Sequence, residues 1–418
     1  DRDFLDGRHG QAGQMAMSIL TRMAQVYEAD ELMDVSQAHI DACGLLSDSG
    51  LEFAEKLASL GGQVAVPTTL NMIPLDLQNW KSLGLPQEHA RKATRLAQAY
   101  LDMGCVPTWT CAPYQGYLTP RFGQQIAWAE SNAIVYANSV LGARTNRYGD
   151  YIDICAAITG RVPRCGLHLR ANRRGQVLVN VSALPEEVLS DDCFYPMLGH
   201  LLGHEVQDEV PVILGLPVNA TGDQLKALGA AAASSGAVGL FHAVGVTPEA
   251  ETLEDAFDAH DPERVVEIGL PDLEEVWSDL STAEEGRRLD AVVLGCPHFS
   301  YAEFERLAQV IEGYGGSRVR AGVRFLVLTS QTSLGLLRRS RYLDPLLRFG
   351  VEIILDTCTF HAPLLSGDTA VLMTNSGKQA YYAPGELGVD VGFGGLRDCV
   401  HSAIKGTITR EPRRWSKS

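Results

Sequence analysis

An α/β protein with parallel sheets flanked by helices is the fold class this sequence predicts. Three observations point to it. From about residue 175 onward, apolar runs of strand length alternate with segments of helical period. Two of these runs, 290–294 and Val351–Leu355, are apolar almost throughout rather than at every second residue, the pattern of strands covered on both faces. The first of them passes through Gly295-Cys296-Pro297-His298-Phe299-Ser300 straight into the helical pattern Tyr301–Glu312. Strand, loop and helix in that order build parallel sheets, whose ligands bind beyond the carboxyl ends of the strands. With 418 residues the chain is too long for a single core, and two or three packed domains are expected. The changes in rhythm suggest 1–150 (helix-rich), 151–288 and 289–418.

Along the chain, 11–29 and 48–60 repeat apolar residues at helical spacing, the second stopped by Gly61-Gly62. Residues 63–67 read as a short strand ending in a polar turn, Thr68-Thr69-Leu70-Asn71, and 86–103 as a helix with Pro86 near its first turn. Strands are expected at 176–181, 210–216 and 239–244, with an Ala-rich helix at 221–235. The acidic stretch 247–288 reads as a solvated helical surface or linker starting near Thr247-Pro248-Glu249. The remainder predicts a strand at 325–328, a helix at 334–348, a strand at 370–373 and a helix at 396–404.

The composition, 45% hydrophobic and 21% charged, is that of a globular protein. A net charge of −16 argues against a nucleic-acid partner. No apolar run approaches the roughly 20 residues that span a bilayer, and Asp1-Arg2-Asp3-Phe4 opens no secretory signal. A cytoplasmic protein is expected. The nine cysteines, odd in number and widely spread, disfavour a disulfide scaffold. Taken singly, each is explained as a small buried hydrophobe.

Three cysteines have more telling surroundings. Cys296 and Cys358 each follow a buried-type strand, and Cys111 lies in a loop between Pro107 and Pro113. Three thiolates on rigid loops suit a soft metal or an iron–sulfur cluster, although no Cys-x-x-Cys supports this. The run from Asn138 to Arg147 is dense in amides, hydroxyls and guanidiniums; it suits either a carboxylate gripped by an Arg fork or ordinary capping. Glu130 suits a general base or a water-facing glutamate, and Lys378, in Thr374-Asn375-Ser376-Gly377-Lys378, a carboxylate partner or a solvated lysine. Gly392-Phe393-Gly394-Gly395 before a helix offers amides to an anion, or simply makes a tight turn.

Six segments together resemble the aconitase X family: Pro67-Thr68-Thr69-Leu70-Asn71, Thr110-Cys111-Ala112-Pro113-Tyr114, Ala127-Trp128-Ala129-Glu130-Ser131, the stretch Ala137-Asn138-Ser139-Val140-Leu141-Gly142-Ala143-Arg144-Thr145-Asn146, Gly295-Cys296-Pro297-His298 and Asp356-Thr357-Cys358. They occur in the family's order across nearly the whole chain. The resemblance implies an aconitase-like core of three α/β domains and an iron–sulfur centre, 2Fe–2S favoured over 4Fe–4S or a single iron, on Cys111, Cys296 and Cys358. From their side-chain chemistry Glu130, Arg144 and Lys378 are expected as catalytic residues and Thr68, Thr69, Asn71, Ser139 and Asn146 as substrate contacts. The reaction implied is a dehydration, with a non-catalytic iron–sulfur protein as the alternative from another class. The stretch 147–155 and Trp109 are similar to members acting on cis-3-hydroxy-L-proline, with mevalonate 5-phosphate the alternative substrate. The family also needs a small swivelling domain that supplies a serine; none is recognisable in these residues, so a partner subunit or a fused segment is expected to provide it.

Overall fold

The structure, a computed structural model, describes residues 1–41, 43–45, 47–365, 367–413 and 415. Two compact units divide the chain: Asp1–Arg174 with Asp356–Leu364, and Gly175–Leu355 with Leu365–Ser418.

The first unit is built around a parallel sheet of short strands, Thr68–Leu70, Ala38–Ile40 and Ala127–Trp128 in that order. The strand Thr68–Leu70 occupies the residues read as a polar turn, whereas 63–67, read as a strand, is not one. The reason lies in the main-chain bonding. Val64 donates to the Met103 carbonyl at 2.9 Å and Ala65 to that of Ala157 at 2.8 Å, so both are committed to helix ends. Thr68 to Leu70 instead register directly against Ala38 to Ile40. The helices Gly10–Val26, Asp48–Ser59 and Gln87–Asp102 fall close to their expected positions, Pro86 capping the last of these. Segment 356–364 returns to this unit, where Ile73 donates to the Asp356 carbonyl at 2.8 Å.

The second unit holds two all-parallel sheets. Strands His242–Ala243, Pro211–Leu214, Val177–Asn180 and Arg264–Glu267 form one. Val351–Leu355, Arg324–Thr329, Ala291–Phe299, Val371–Thr374 and Asp390–Phe393 form the other. The continuous apolar runs are buried as expected: Val292, Leu294, Phe325, Val327 and Met373 share one core with Phe304, Leu307 and Val400 from the covering helices. Three strands of this sheet hand over to helices through a serine N-cap, Ser300, Ser330 and Ser376. Each side chain accepts a first-turn amide, which satisfies a donor the helix itself cannot.

Four expectations are corrected here. The strand beginning at Ala291 continues to Phe299, so Cys296 is in a strand and not in a loop; its register against Arg324–Thr329 shifts between Leu294 and Phe299. Gly295 makes the irregularity possible: it sits at φ +92°, and a Cβ there would lie 2.1 Å from the Leu328 carbonyl oxygen. The helix expected over 334–348 is two helices, Gln331–Leu337 and Leu343–Phe349, interrupted where Ser340 accepts the Tyr342 amide at 3.1 Å. The acidic stretch contains the strand Arg264–Glu267 besides its helices Leu253–Ala256 and Leu270–Asp279, an edge strand whose alternate residues face solvent. Finally, the strand expected over 239–244 shrinks to His242–Ala243.

Candidate functional site

In the first unit, the loop bearing Cys111 is held by side chains from three directions. The Thr108 hydroxyl donates to the Leu70 carbonyl at 2.7 Å and accepts the Leu70 amide at 2.9 Å, closing the strand Thr68–Leu70. Thr110 donates its amide to the same carbonyl at 3.1 Å. The buried Asn132 amide donates to the Cys111 carbonyl at 2.9 Å and to Glu130, while its oxygen accepts from the Tyr114 hydroxyl at 2.7 Å. Tyr114 in turn stacks on Tyr136 with ring centres 3.8 Å apart. Asn132 and Thr108 were not singled out from the sequence. Thr-x-Thr-Cys was visible, but which carbonyl each group would meet was not.

Glu130 is buried and caps the helix Ser131–Ser139, accepting the Ala133 amide at 2.8 Å and the Ser131 hydroxyl at 3.2 Å. Thr68 and Thr69 lie on the central sheet: Thr68 donates to the Val66 carbonyl at 2.8 Å, and Thr69 meets His39 Nδ1 at the same distance. Asn71 donates to the Asp41 carboxylate and accepts the Met72 amide at 2.7 Å. Ser139 is buried at the end of the helix Ser131–Ser139. Asn146 accepts the Leu167 amide at 2.6 Å and donates to the Cys165 carbonyl at 3.1 Å, bracing the following loop. Arg144 is half-buried and pairs its main chain with Gln124 and Ile126. The neighbouring Asn138 amide is committed to Thr145 and to the buried Arg173. Of the Asn138-to-Arg147 run, the part that serves internal bracing is therefore the larger.

The two fully enclosed histidines of this unit are neutral. Burial drives His39 down to about 3. His168, bonded to the Tyr148 hydroxyl and to Gln125 at 2.7 Å, is driven to about 3 by burial and by the charges of Arg173 and Arg144.

In the second unit, Cys296 lies at the irregular end of its strand, where the Ser376 hydroxyl donates to its carbonyl. Lys378 is half-buried in the first turn of the helix Gly377–Leu387. The amides at Gly395 and Leu396, expected to suit an external anion, are taken by the chain's own carboxylates: Asp398 accepts from Gly395 and Asp192 from Leu396, both at 2.9 Å.

Cys111, Cys296 and Cys358 are each half-buried, Cys111 and Cys358 in the first unit and Cys296 in the second. Each stands within two residues of a left-handed backbone position: Trp109 at φ +42°, Gly295 at +92° and Asp356 at +64°. A buried tryptophan in that region is costly, of order 1–3 kcal/mol, and such strain collects at functional sites. By contrast, Cys43, Cys105, Cys155, Cys193 and Cys399 are buried, and burial raises their thiols, that of Cys105 to about 12. The half-buried Cys165 is raised too, again by burial. Among the described residues Asp191, Asp192 and Cys193 also converge, but Asp191 is paired with Arg413 at 3.0 Å and Asp192 with the Leu396 amide.

Fold and site define an α/β protein of parallel sheets that presents a few part-exposed thiols on strained main chain near strand ends. Comparison with known proteins says which. Family models for the first, second and third domains of aconitase X match residues 1–171, 175–278 and 289–405. The cis-3-hydroxy-L-proline dehydratase of Pseudomonas aeruginosa is 44% identical over 409 residues, which cover 97% of this chain and 69% of that protein. The large subunit of phosphomevalonate dehydratase from Methanothermobacter thermautotrophicus is 38% identical over 92% of this chain and 93% of its own length. The crystal structure of the aconitase X holo-form from Thermococcus kodakaraensis superposes with a TM-score of 0.86 at 31% identity, covering 96% of this chain and 98% of that one. The chain belongs to the aconitase X family and is a dehydratase.

Proposed function

We propose that this chain is the cluster-bearing part of a cis-3-hydroxy-L-proline dehydratase that yields Δ1-pyrroline-2-carboxylate in the cytoplasm. The observation that carries this is the 44% identity, over 97% of the chain, to a hydroxyproline dehydratase, against 38% to a phosphomevalonate dehydratase subunit. Cys111, Cys296 and Cys358 are the ligands of an iron–sulfur centre, most simply 2Fe–2S. Their setting supports this choice: each is half-buried and stands within two residues of a left-handed backbone position, the kind of strain that collects at functional sites. Three thiolates match the soft donors such a centre takes. When bound, the iron supplies a Lewis acid for the departing C3 hydroxyl.

The chain's own residues supply the remainder. Arg144 and Lys378, with Asn146, hold the substrate carboxylate and stabilise the charge that develops on it as the C2 proton leaves. Thr68, Thr69, Asn71 and Ser139 contact the ring and its substituents. Glu130, bonded to Asn132, orients the Cys111 loop rather than meeting substrate first. The base is a serine on a small swivelling domain, supplied by a partner subunit or by a further segment; a relative described as a large subunit supports such a division.

The test is turnover. The iron-loaded chain with its small domain is offered the stereoisomers of 3-hydroxyproline and, separately, mevalonate 5-phosphate. Dehydration of the cis-3-hydroxy-L isomer alone is expected. Turnover of mevalonate 5-phosphate with none of hydroxyproline would overturn the substrate assignment.

A further inference from the structure

The second unit buries a cation for which the reaction above has no use. Lys226 lies in the Ala-rich helix Gly222–Ser235 with only 3% of its surface exposed. Its ammonium has three protons to place, and three acceptors surround it. Glu303 takes one, Asp223 stands at 3.0 Å, and the His298 carbonyl, two residues beyond Cys296, at 3.4 Å. Burial alone would push the ammonium towards neutrality; Glu303 and Asp223 more than offset this and keep it charged.

Both carboxylates are themselves held in place. Glu303 accepts the Ser300 amide at 2.7 Å as the capping box of the helix Tyr301–Glu312, and the Ser300 hydroxyl donates to Asp223 at 2.8 Å. The lysine is thus seated from below, and its remaining proton aims at the strand that bears Cys296. On the other side, Ser376 donates to the Cys296 carbonyl while accepting the Gln379 amide at 3.0 Å. Lys226, Cys296, Glu303 and Ser376 line one cavity of about 30 Å³, room for about one water molecule.

We propose that Lys226 is a positioning residue for Cys296, acting with Ser376 as a two-point clamp on the main chain that carries this thiol. The strand is irregular here, its register against Arg324–Thr329 shifting between Leu294 and Phe299. Two side-chain bonds, to the carbonyls of residues 296 and 298, brace the main chain across this irregularity. The clamp rests on the reading of Cys296 as a cluster ligand. A staple between two helices is the competing role for Lys226, and it requires no effect on the metal.

The experiment separates these roles by neutralising the whole ion cluster, since removing one partner alone would strand buried charge. The variant Lys226→Met/Asp223→Asn/Glu303→Gln keeps the capping and serine bonds but loses the donor to the His298 carbonyl. The iron-loaded chain with its small domain is challenged with a chelator while visible absorption and visible circular dichroism report the cluster. Iron loss about 10-fold faster than wild type is expected, with altered visible dichroism and an unchanged Tm of the iron-free chain. Ser376→Ala should move the same two signals in the same direction. Wild-type iron retention and dichroism in the neutralised variant would overturn the clamp. Cys296→Ser is the control: if it retains iron as wild type does, the ligand assignment falls and the clamp with it.

Discussion

The two units hold their main chain together by different means. In the first, no strand among the described residues is longer than three residues, so regular ladders contribute few bonds. Side chains take over the work: Thr108 on Leu70, Asn132 on Cys111, Asn138 on Thr145, and neutral histidines wedged at Thr69 and Tyr148. In the second, strands reach nine residues, and tightly apposed helices carry the load while serine caps finish each turn. The sheet of the first unit depends on buried polar groups finding partners, and the helix packing of the second on shape. Acid should weaken the first through His39 and His168, with His200 of the second, lowered to about 4 by burial, adding to the loss, while added volume should break the second.

Acid has the larger expected effect. Unfolded histidine takes up a proton near pH 6.5, whereas His39 and His168 remain neutral in the fold down to about pH 3. Between those values the unfolded chain binds more protons, so stability falls as pH drops through this window and is fully present above it. At pH 5 the loss is about 2 kcal/mol for each histidine, some 4 kcal/mol together. Urea unfolding at pH 7 and pH 5 measures it, and His168→Gln, though less stable at pH 7, should show a pH dependence about 2 kcal/mol smaller than that of wild type. An unchanged pH dependence in that variant would remove His168 from the account.

Added volume should break the second unit. Helices Phe194–Val206 and Gly222–Ser235 meet at Gly199 and Gly203, one turn apart on the same face. A Cβ at Gly199 would lie 2.1 Å from the Leu228 carbonyl oxygen and 2.9 Å from the Ala231 methyl. Neither is a flexible chain end that can swing aside. Gly199→Ala is therefore expected to cost about 3 kcal/mol, near the upper end of ordinary overpacking, with the same cost at pH 7 and pH 5. A cost below about 1 kcal/mol would mean that the helices separate more easily than their packing implies.

How much of this the sequence revealed follows the same division. The helix Tyr301–Glu312 and the strand Val351–Leu355 lie where they were expected, because Ser300 with Glu303 is a local capping signal and Val-x-Ile-Ile-Leu a local strand signal. Gly295 could be seen as a breaker, but not as the cause of a register shift inside a continuing strand, which depends on the Leu328 backbone beside it. The edge strand Arg264–Glu267 was hidden because only alternate residues are covered and the others are charged or exposed. In the first unit the motifs around Cys111 and Glu130 were legible as motifs. The pairings of Asn132, Thr108 and Lys226 were not, because they join residues far apart in the sequence whose meeting is decided by packing.

The smallest effect on stability, and the most specific on the site, is expected at Asn132. Asn132→Ala removes this donor from the Cys111 carbonyl, this acceptor from the Tyr114 hydroxyl and this donor from Glu130. Buried groups so exposed to loss cost about 2 kcal/mol, and the Cys111 loop should release iron faster than wild type under chelator. Asn132→Asp sharpens the point. The new carboxylate still accepts from Tyr114, but it faces Glu130 across the same short contact and cannot donate to the Cys111 carbonyl. Two like charges cannot both ionise there without penalty, so this variant should be less stable than Asn132→Ala at pH 8 and recover relative to it as the pH falls to 5, opposite in trend to the histidine effect. Parallel stability curves for the two variants over that range would mean that Asn132 acts by size alone and that Glu130 plays no part in holding the Cys111 loop.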